Sequence, residues 1–192
     1  MTRAIEADSR GYRALGPDGR VYGTDSALGQ VWLIQPHGKK SVIDTSLKGP
    51  TGIALSPDGL WLAVAESKTH WGYSYRVQPN GTVQDKQRFY WFHMPDEADD
   101  SGAGARMMDR EGRLYAATRM GVQVFDRNGR VRAILPVPSG EVSGLSFGGE
   151  NFGTLYVKAV NGKTYRRKFK VPGIPPGTAP KGRSARRYQR CR

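Results

Sequence analysis

Four carboxylates, Asp96, Glu97, Asp99 and Asp100, crowd into one short stretch of this chain. Carboxylates so close together can give a hard divalent cation its oxygen ligands, or one of them can take a proton from water. A solvated acidic loop has the same composition, and that is the simpler reading of the four. If the stretch does chemistry, Asp99 and Asp100 are the candidates for metal binding or for a catalytic base. Histidine offers less. His37, His70 and His93 lie far apart and form no H-x-H or H-E-x-x-H pair. His37 occupies the same slot before a turn glycine as Asn80 and Asn128, so it reads as a turn residue. His70-Trp71 and Trp91-Phe92-His93 could line a cleft, although aromatic runs in strands usually fill core. No Ser sits in a Gly-x-Ser-x-Gly elbow, and Cys191 is the only cysteine. Nucleophilic catalysis, an intrachain disulfide and a cysteine-rich zinc site therefore lack support.

Charge invites a different partner and then withdraws the invitation. The net charge is +13 over 192 residues. From Lys163 onward there are 11 Lys/Arg and no Asp/Glu, which leaves 19 of the 30 basic residues against all 17 acidic ones. A surface built to grip phosphates should carry its excess in the folded body, so nucleic acid is not expected as a partner except through the tail. That tail begins with Pro172-Gly173-Ile174-Pro175-Pro176-Gly177, and residues 181–192 are basic with almost nothing apolar. Disorder is expected for 174–192, with Arg186, Arg187 and Arg190 as the only groups suited to nucleic acid or anionic lipid. No apolar run reaches membrane-spanning length, and MTRAIEADSR lacks the apolar stretch of a signal peptide. A cytoplasmic location is the default expectation.

The elements that must position any site come from an internal repeat. Gly16-Pro17-Asp18-Gly19 is a turn, followed by Arg20-Val21-Tyr22-Gly23-Thr24, Gln30-Val31-Trp32-Leu33-Ile34, the turn Pro36-His37-Gly38, and Ser41-Val42-Ile43. Ser56-Pro57-Asp58-Gly59 opens the same series, continued by Trp61 to Ala65, Gly72 to Val77 and Pro79-Asn80-Gly81. Asp109-Arg110-Glu111-Gly112 opens a third, with Leu114 to Thr118, Gly121 to Phe125, Asn128-Gly129 and Val131 to Leu135. Phe147-Gly148-Gly149 opens a fourth. The runs are short, rich in β-branched and aromatic residues, and bounded by residues that tolerate positive φ. Turn glycines 19, 59 and 112 are spaced 40 and 53 residues apart. That is the length of a four-stranded propeller blade and not the period of a sandwich. The sequence predicts an all-β protein, a β-propeller of about four blades over residues 1–173.

Four stretches then carry a resemblance: Gly49-Pro50-Thr51-Gly52-Ile53-Ala54-Leu55-Ser56-Pro57-Asp58; Asp100-Ser101-Gly102-Ala103 through Asp109; Leu114 through Val124; and Gly140 through Gly149. Over residues 11–173 the chain resembles the C-terminal two-thirds of the senescence-marker-protein/gluconolactonase (regucalcin-like) propellers. The resemblance implies a six-bladed family fold with one divalent ion, often Ca²⁺ or Zn²⁺, in the central channel. It also implies hydrolysis of sugar lactones, the ion polarising the carbonyl and orienting water while a carboxylate takes the proton.

Carried over position by position, the implied metal site is missing its ligands. The first-blade Glu has no counterpart, since Glu6 lacks the Glu-Gly-Pro context. The other three positions fall on Gly11, Thr51 and Gly104, and Gly104 stands in a Gly104-Ala105-Arg106 triplet where the family has Asp-Gly-Met. Two glycines offer no side chain, Thr51 only a neutral hydroxyl, and an inward Arg106 would repel a cation. No cofactor is expected as the sequence stands. A divalent cation, Ca²⁺ or Zn²⁺, would require a site rebuilt from Asp99 or Asp100.

Two functional readings remain open. One is a degenerate or truncated lactone-hydrolase homologue whose channel holds a lactone, a sugar or a partner without chemistry. The other is an active metal-dependent lactonase with a rebuilt centre. With four blades where the family has six, the ring is expected to be incomplete, and its uncovered blade faces are expected to promote self-association.

Overall fold

In the computed structural model, which describes residues 11–178, the chain folds into 15 strands in four sheets, with one 3-10 turn at Glu150–Phe152. Blade I comprises β1 (Arg13–Leu15), β2 (Val21–Asp25), β3 (Gln30–Ile34) and β4 (Lys40–Asp44). Blade II comprises β5 (Pro50–Leu55), β6 (Trp61–Glu66), β7 (Trp71–Val77) and β8 (Val83–Trp91). Blade III comprises β9 (Arg106–Met108), β10 (Leu114–Thr118), β11 (Gly121–Phe125) and β12 (Val131–Leu135). Blade IV is three-stranded among the described residues: β13 (Val142–Gly148), β14 (Thr154–Ala159) and β15 (Thr164–Lys168). Every sheet is an antiparallel meander in chain order. First strands meet one another, β1 with β5, β5 with β9 and β9 with β13, so they line the axis. This is the all-β, four-bladed propeller arrangement that the repeat predicts.

Each repeat begins where the innermost strand turns into the second. Gly19, Gly59 and Gly112 have φ of 80°, 72° and 77°. Their N–H groups donate to the carbonyls of Gly16, Ser56 and Asp109 at 3.1, 2.9 and 2.9 Å. A side chain at such φ would crowd its own backbone, which is why the repeat is legible as a spacing of glycines.

Apolar faces pack blade against blade in three seams. Tyr22, Val31 and Leu33 of blade I meet Ile53, Leu62, Val64 and Tyr75 of blade II. Ala54, Ala63, Tyr90 and Phe92 then meet Met108, Leu114, Ala116 and Phe125. Tyr115, Ala117 and Val122 of blade III meet Phe147, Leu155 and Val157 of blade IV. The two end faces differ in chemistry. On blade I, Trp32 lies under the cations of Arg13 and Lys40, with Leu15 and Val42 exposed. On blade IV, the row Ser146, Tyr156, Arg166 is polar, as its register shows.

Past β15 the chain turns back across the ends of the inner strands. The Pro172 carbonyl accepts from Arg110, Gly173 bridges Asp109 and donates to Phe152, and Gly177 packs on Leu15 of blade I. Of the segment 174–192, for which disorder was expected, residues 174–178 form a turn, with the Thr178 N–H donating to the Pro175 carbonyl, and 179–192 lie outside the described residues.

Candidate functional site

Opposite the turn glycines, the inner strands start at a common rim. Thr51, at the start of β5, donates its hydroxyl to the Ala103 carbonyl at 2.5 Å. The next residue, Gly52, packs so tightly on the Gly104 carbonyl that a Cβ there would overlap it. Tyr12, which follows Gly11, places its hydroxyl 3.1 Å from where a Gly104 Cβ would stand. Thr51 and Gly104 thus meet across blades at the rim, with the hydroxyl of Tyr12, the residue after Gly11, beside Gly104. None of them contributes a carboxylate. Glu6, the remaining residue weighed for that role, lies outside the described residues.

Arg106 is the charged group at this rim. As the first residue of β9 it is paired with Ala116, on the same face of blade III as Met108 and Leu114. That face meets blade II, so the side chain is driven into the seam, where it is only 6% exposed. Its guanidinium lies over the Phe92 ring, 5.2 Å from the centroid, and its Nε is beside Gly52. Among the described residues, Nε, Nη1 and Nη2 have no hydrogen-bond partner. Burial pushes the guanidinium down to about 9, against the opposing pull of the Tyr90 and Tyr12 phenols.

The acidic loop lies to one side of this rim. Asp100 is held by Arg119, whose Nε and Nη2 donate to Oδ1 at 3.0 and 2.9 Å, and the same oxygen caps the Gly102 N–H. Arg119 also reaches Glu141 at 3.4 Å, so Asp100 belongs to a cross-blade ion cluster. Asp99 is exposed, as are Asp96 and Glu97. Asp96 borders an open cavity of about 330 Å³ together with His70, Trp91 and His93, where His70 stacks on Trp91 at 4.5 Å. His37 is exposed on its turn. Among the described residues, no three of His, Cys, Asp or Glu come close enough to hold a metal.

Sequence reasoning passed over several polar residues that shape the region. Gln123, fully buried, accepts from the His93 N–H at 3.0 Å and donates to the His93 carbonyl at 2.7 Å, which anchors the start of the acidic loop. Glu66, buried, accepts from the Lys48 N–H and from Thr69. Tyr12 reaches the rim from the position just before β1. A polar side chain inside an otherwise apolar strand was the available signal for Gln123 and Arg106.

Relatives place this geometry. A sequence profile of the SMP-30/Gluconolactonase/LRE-like region matches residues 7–161. Pentonolactonase XacC of Haloferax volcanii is 26% identical over 155 residues, covering 76% of this chain and 51% of that protein. A gluconolactonase of Zymomonas mobilis is 27% identical over 136 residues, covering 67% of this chain and 37% of that protein. The chain therefore spans about half or less of the length of these curated relatives. Among solved structures, the calcium-binding protein regucalcin of Agrobacterium tumefaciens superposes with a TM-score of 0.73 at 17% identity, covering 88% of this chain and 63% of that one. With the profile spanning most of its length and the blades matching in space, the chain belongs to the SMP-30/gluconolactonase/LRE-like family.

Proposed function

We propose that this chain is a lactone-hydrolase homologue that has lost the family's metal chemistry and uses its channel to bind a small molecule, a lactone or sugar derivative, without hydrolysing it. The observation that carries the reading is Arg106, a buried guanidinium beside Gly52, where the Gly104 carbonyl also packs. A hard divalent ion needs several oxygen ligands, with carboxylates to offset its charge. The rim residues do not fit such an ion. Gly11 and Gly104 have no side-chain oxygen, and the Thr51 hydroxyl is already donating to Ala103. A fixed positive charge at the same rim adds repulsion at short range. Asp100, the nearer of the two acidic candidates, is neutralised by Arg119.

Calorimetric titration with Ca²⁺ and Zn²⁺, run beside a lactone-hydrolysis assay, tests the reading. No saturable binding at millimolar metal and no metal-stimulated turnover are expected. Stoichiometric binding that disappears in Asp99→Ala or Asp100→Ala would establish the rebuilt, active centre instead.

A further inference from the structure

We propose that the Arg106 guanidinium is a receptor for a small carboxylate at the channel rim. This deepens the reading above and rests on it, since a rim free of a divalent ion is what leaves the guanidinium to an anion. The side chain is buried, all three of its nitrogens lack partners among the described residues, and its neighbours Gly52, Tyr12, Tyr90 and Phe92 are neutral. A buried cation with no counter-charge is strongly unfavourable, so the site is completed by an acceptor from outside the described fold.

Its geometry selects the acceptor. Phe92 covers one face of the guanidinium, so acceptors must approach its edge. A planar group with two oxygens satisfies two N–H donors at once in that direction. Gly52 sets no side chain beside Nε, and the Tyr12 hydroxyl over Gly104 is a further donor within the rim. Tyr12, Thr51 and Gly104 are each partly exposed, so solvent reaches the rim beside the buried guanidinium.

The test uses the purified chain at fixed ionic strength and pH 7, with acetate and inorganic phosphate as probes, read by calorimetry and by thermal melts. Acetate should bind saturably and raise the melting midpoint. Arg106→Met should weaken acetate at least about tenfold through loss of the charge-assisted bonds. Arg106→Lys, which keeps the charge but not the fork, should fall between the two. Ligand-free Arg106→Met should also melt higher than the parent, because an unpaired buried charge has gone; that result separates loss of binding from loss of folding. Equal acetate affinity in the parent and Arg106→Met, or no saturable acetate binding in the parent, overturns the proposal. Phosphate binding more tightly than acetate overturns the choice of a planar ligand. A Ca²⁺ titration of the same samples keeps the two readings apart: tight Ca²⁺ binding sinks the loss of metal chemistry, whereas absence of both ligands sinks only the anion site.

Discussion

The Tyr75 hydroxyl donates to Oδ2 of Asp44 at 2.6 Å, tying the third strand of blade II to the outermost strand of blade I. Lys86 reaches the same oxygen at 2.8 Å, and Ser46 donates to Oδ1 through both its N–H and its hydroxyl. Burial pushes the Asp44 carboxyl up, but hydrogen bonds from Lys86, Tyr75 and Ser46 outweigh it and hold the group at about 2. A carboxyl depressed on folding contributes stability that is fully present above its unfolded value, about 3.9, and is lost as pH falls through the folded one. Tyr75→Phe should therefore cost about 1.5 kcal/mol at pH 7 and clearly less near pH 2. Denaturant melts at both pH values check this; an equal loss at each would remove Asp44 from the account.

Asp109 does the corresponding work in blade III. Its fully buried carboxylate accepts from the N–H groups of Glu111 and Arg113, from Arg113 Nε at 2.6 Å and from the Tyr115 hydroxyl at 3.2 Å. It also bridges Gly173 in the returning C-terminal segment. Asp109→Ala leaves several donors short of an acceptor at one turn, and about 2–3 kcal/mol of destabilisation is expected. Chemical denaturation measures the loss. Arg113→Ala should cost less, because the Arg113 side chain is 33% exposed and water can replace its partner. Equal losses in the two variants would show that the buried turn is not what Asp109 holds.

These contacts mark where the sequence is legible and where it is not. The hairpins are plain in it: Gln30–Ile34, Leu114–Thr118 and Val131–Leu135 run as expected, because β-branched and aromatic residues alternate between glycine-closed turns. Inner strands are faint. β1 and β9 are three residues each, and β5 is rich in small residues because it packs close to its neighbour. The longest strand, Val83–Trp91, is mostly polar and exposed along the blade edge, so periodicity does not announce it. At the rim, Gly11, Thr51 and Gly104 stand out in the sequence only through the family resemblance. The surroundings of Arg106 do not stand out at all, since its burial comes from Phe92 and Gly52 on another blade.

Gly52 offers a direct test of how the rim is built. A Cβ there would overlap the Gly104 carbonyl and crowd Arg106 Nε at 2.8 Å, and the obstacle is backbone, which cannot rotate aside. Gly52→Ala should destabilise the fold by about 2–3 kcal/mol through overpacking, with the inner strands of blades II and III forced apart. Gly38→Ala is the contrast, since a Cβ there meets nothing; its cost should come from positive φ alone, about 1 kcal/mol. Thermal melts of the two variants should rank in that order. The reverse ranking would mean that the close approach of the strands is not a constraint.

Self-association is expected to depend on the two end faces of the described residues. Blade I presents Leu15 and Val42, 45% and 48% exposed, on a sheet face of the kind that elsewhere in the fold packs against a neighbouring blade. Blade IV presents Ser146, Tyr156 and Arg166, and its last strand carries Arg166, Arg167 and Lys168 along the open edge, where basic residues discourage pairing. Blade I carries the exposed apolar side chains and blade IV does not, although Arg13 and Lys40 stand over Trp32 on the first face. Two copies meeting through blade I, each burying the same surface, is the association that the chemistry favours. Sedimentation or light scattering across a concentration series should therefore show a monomer–dimer equilibrium. Val42→Asp should shift it to monomer, while Tyr156→Asp on the opposite end leaves it unchanged. A compact monomer at every concentration, or a dimer that only Tyr156→Asp disrupts, would show that blade I is not the sticky end.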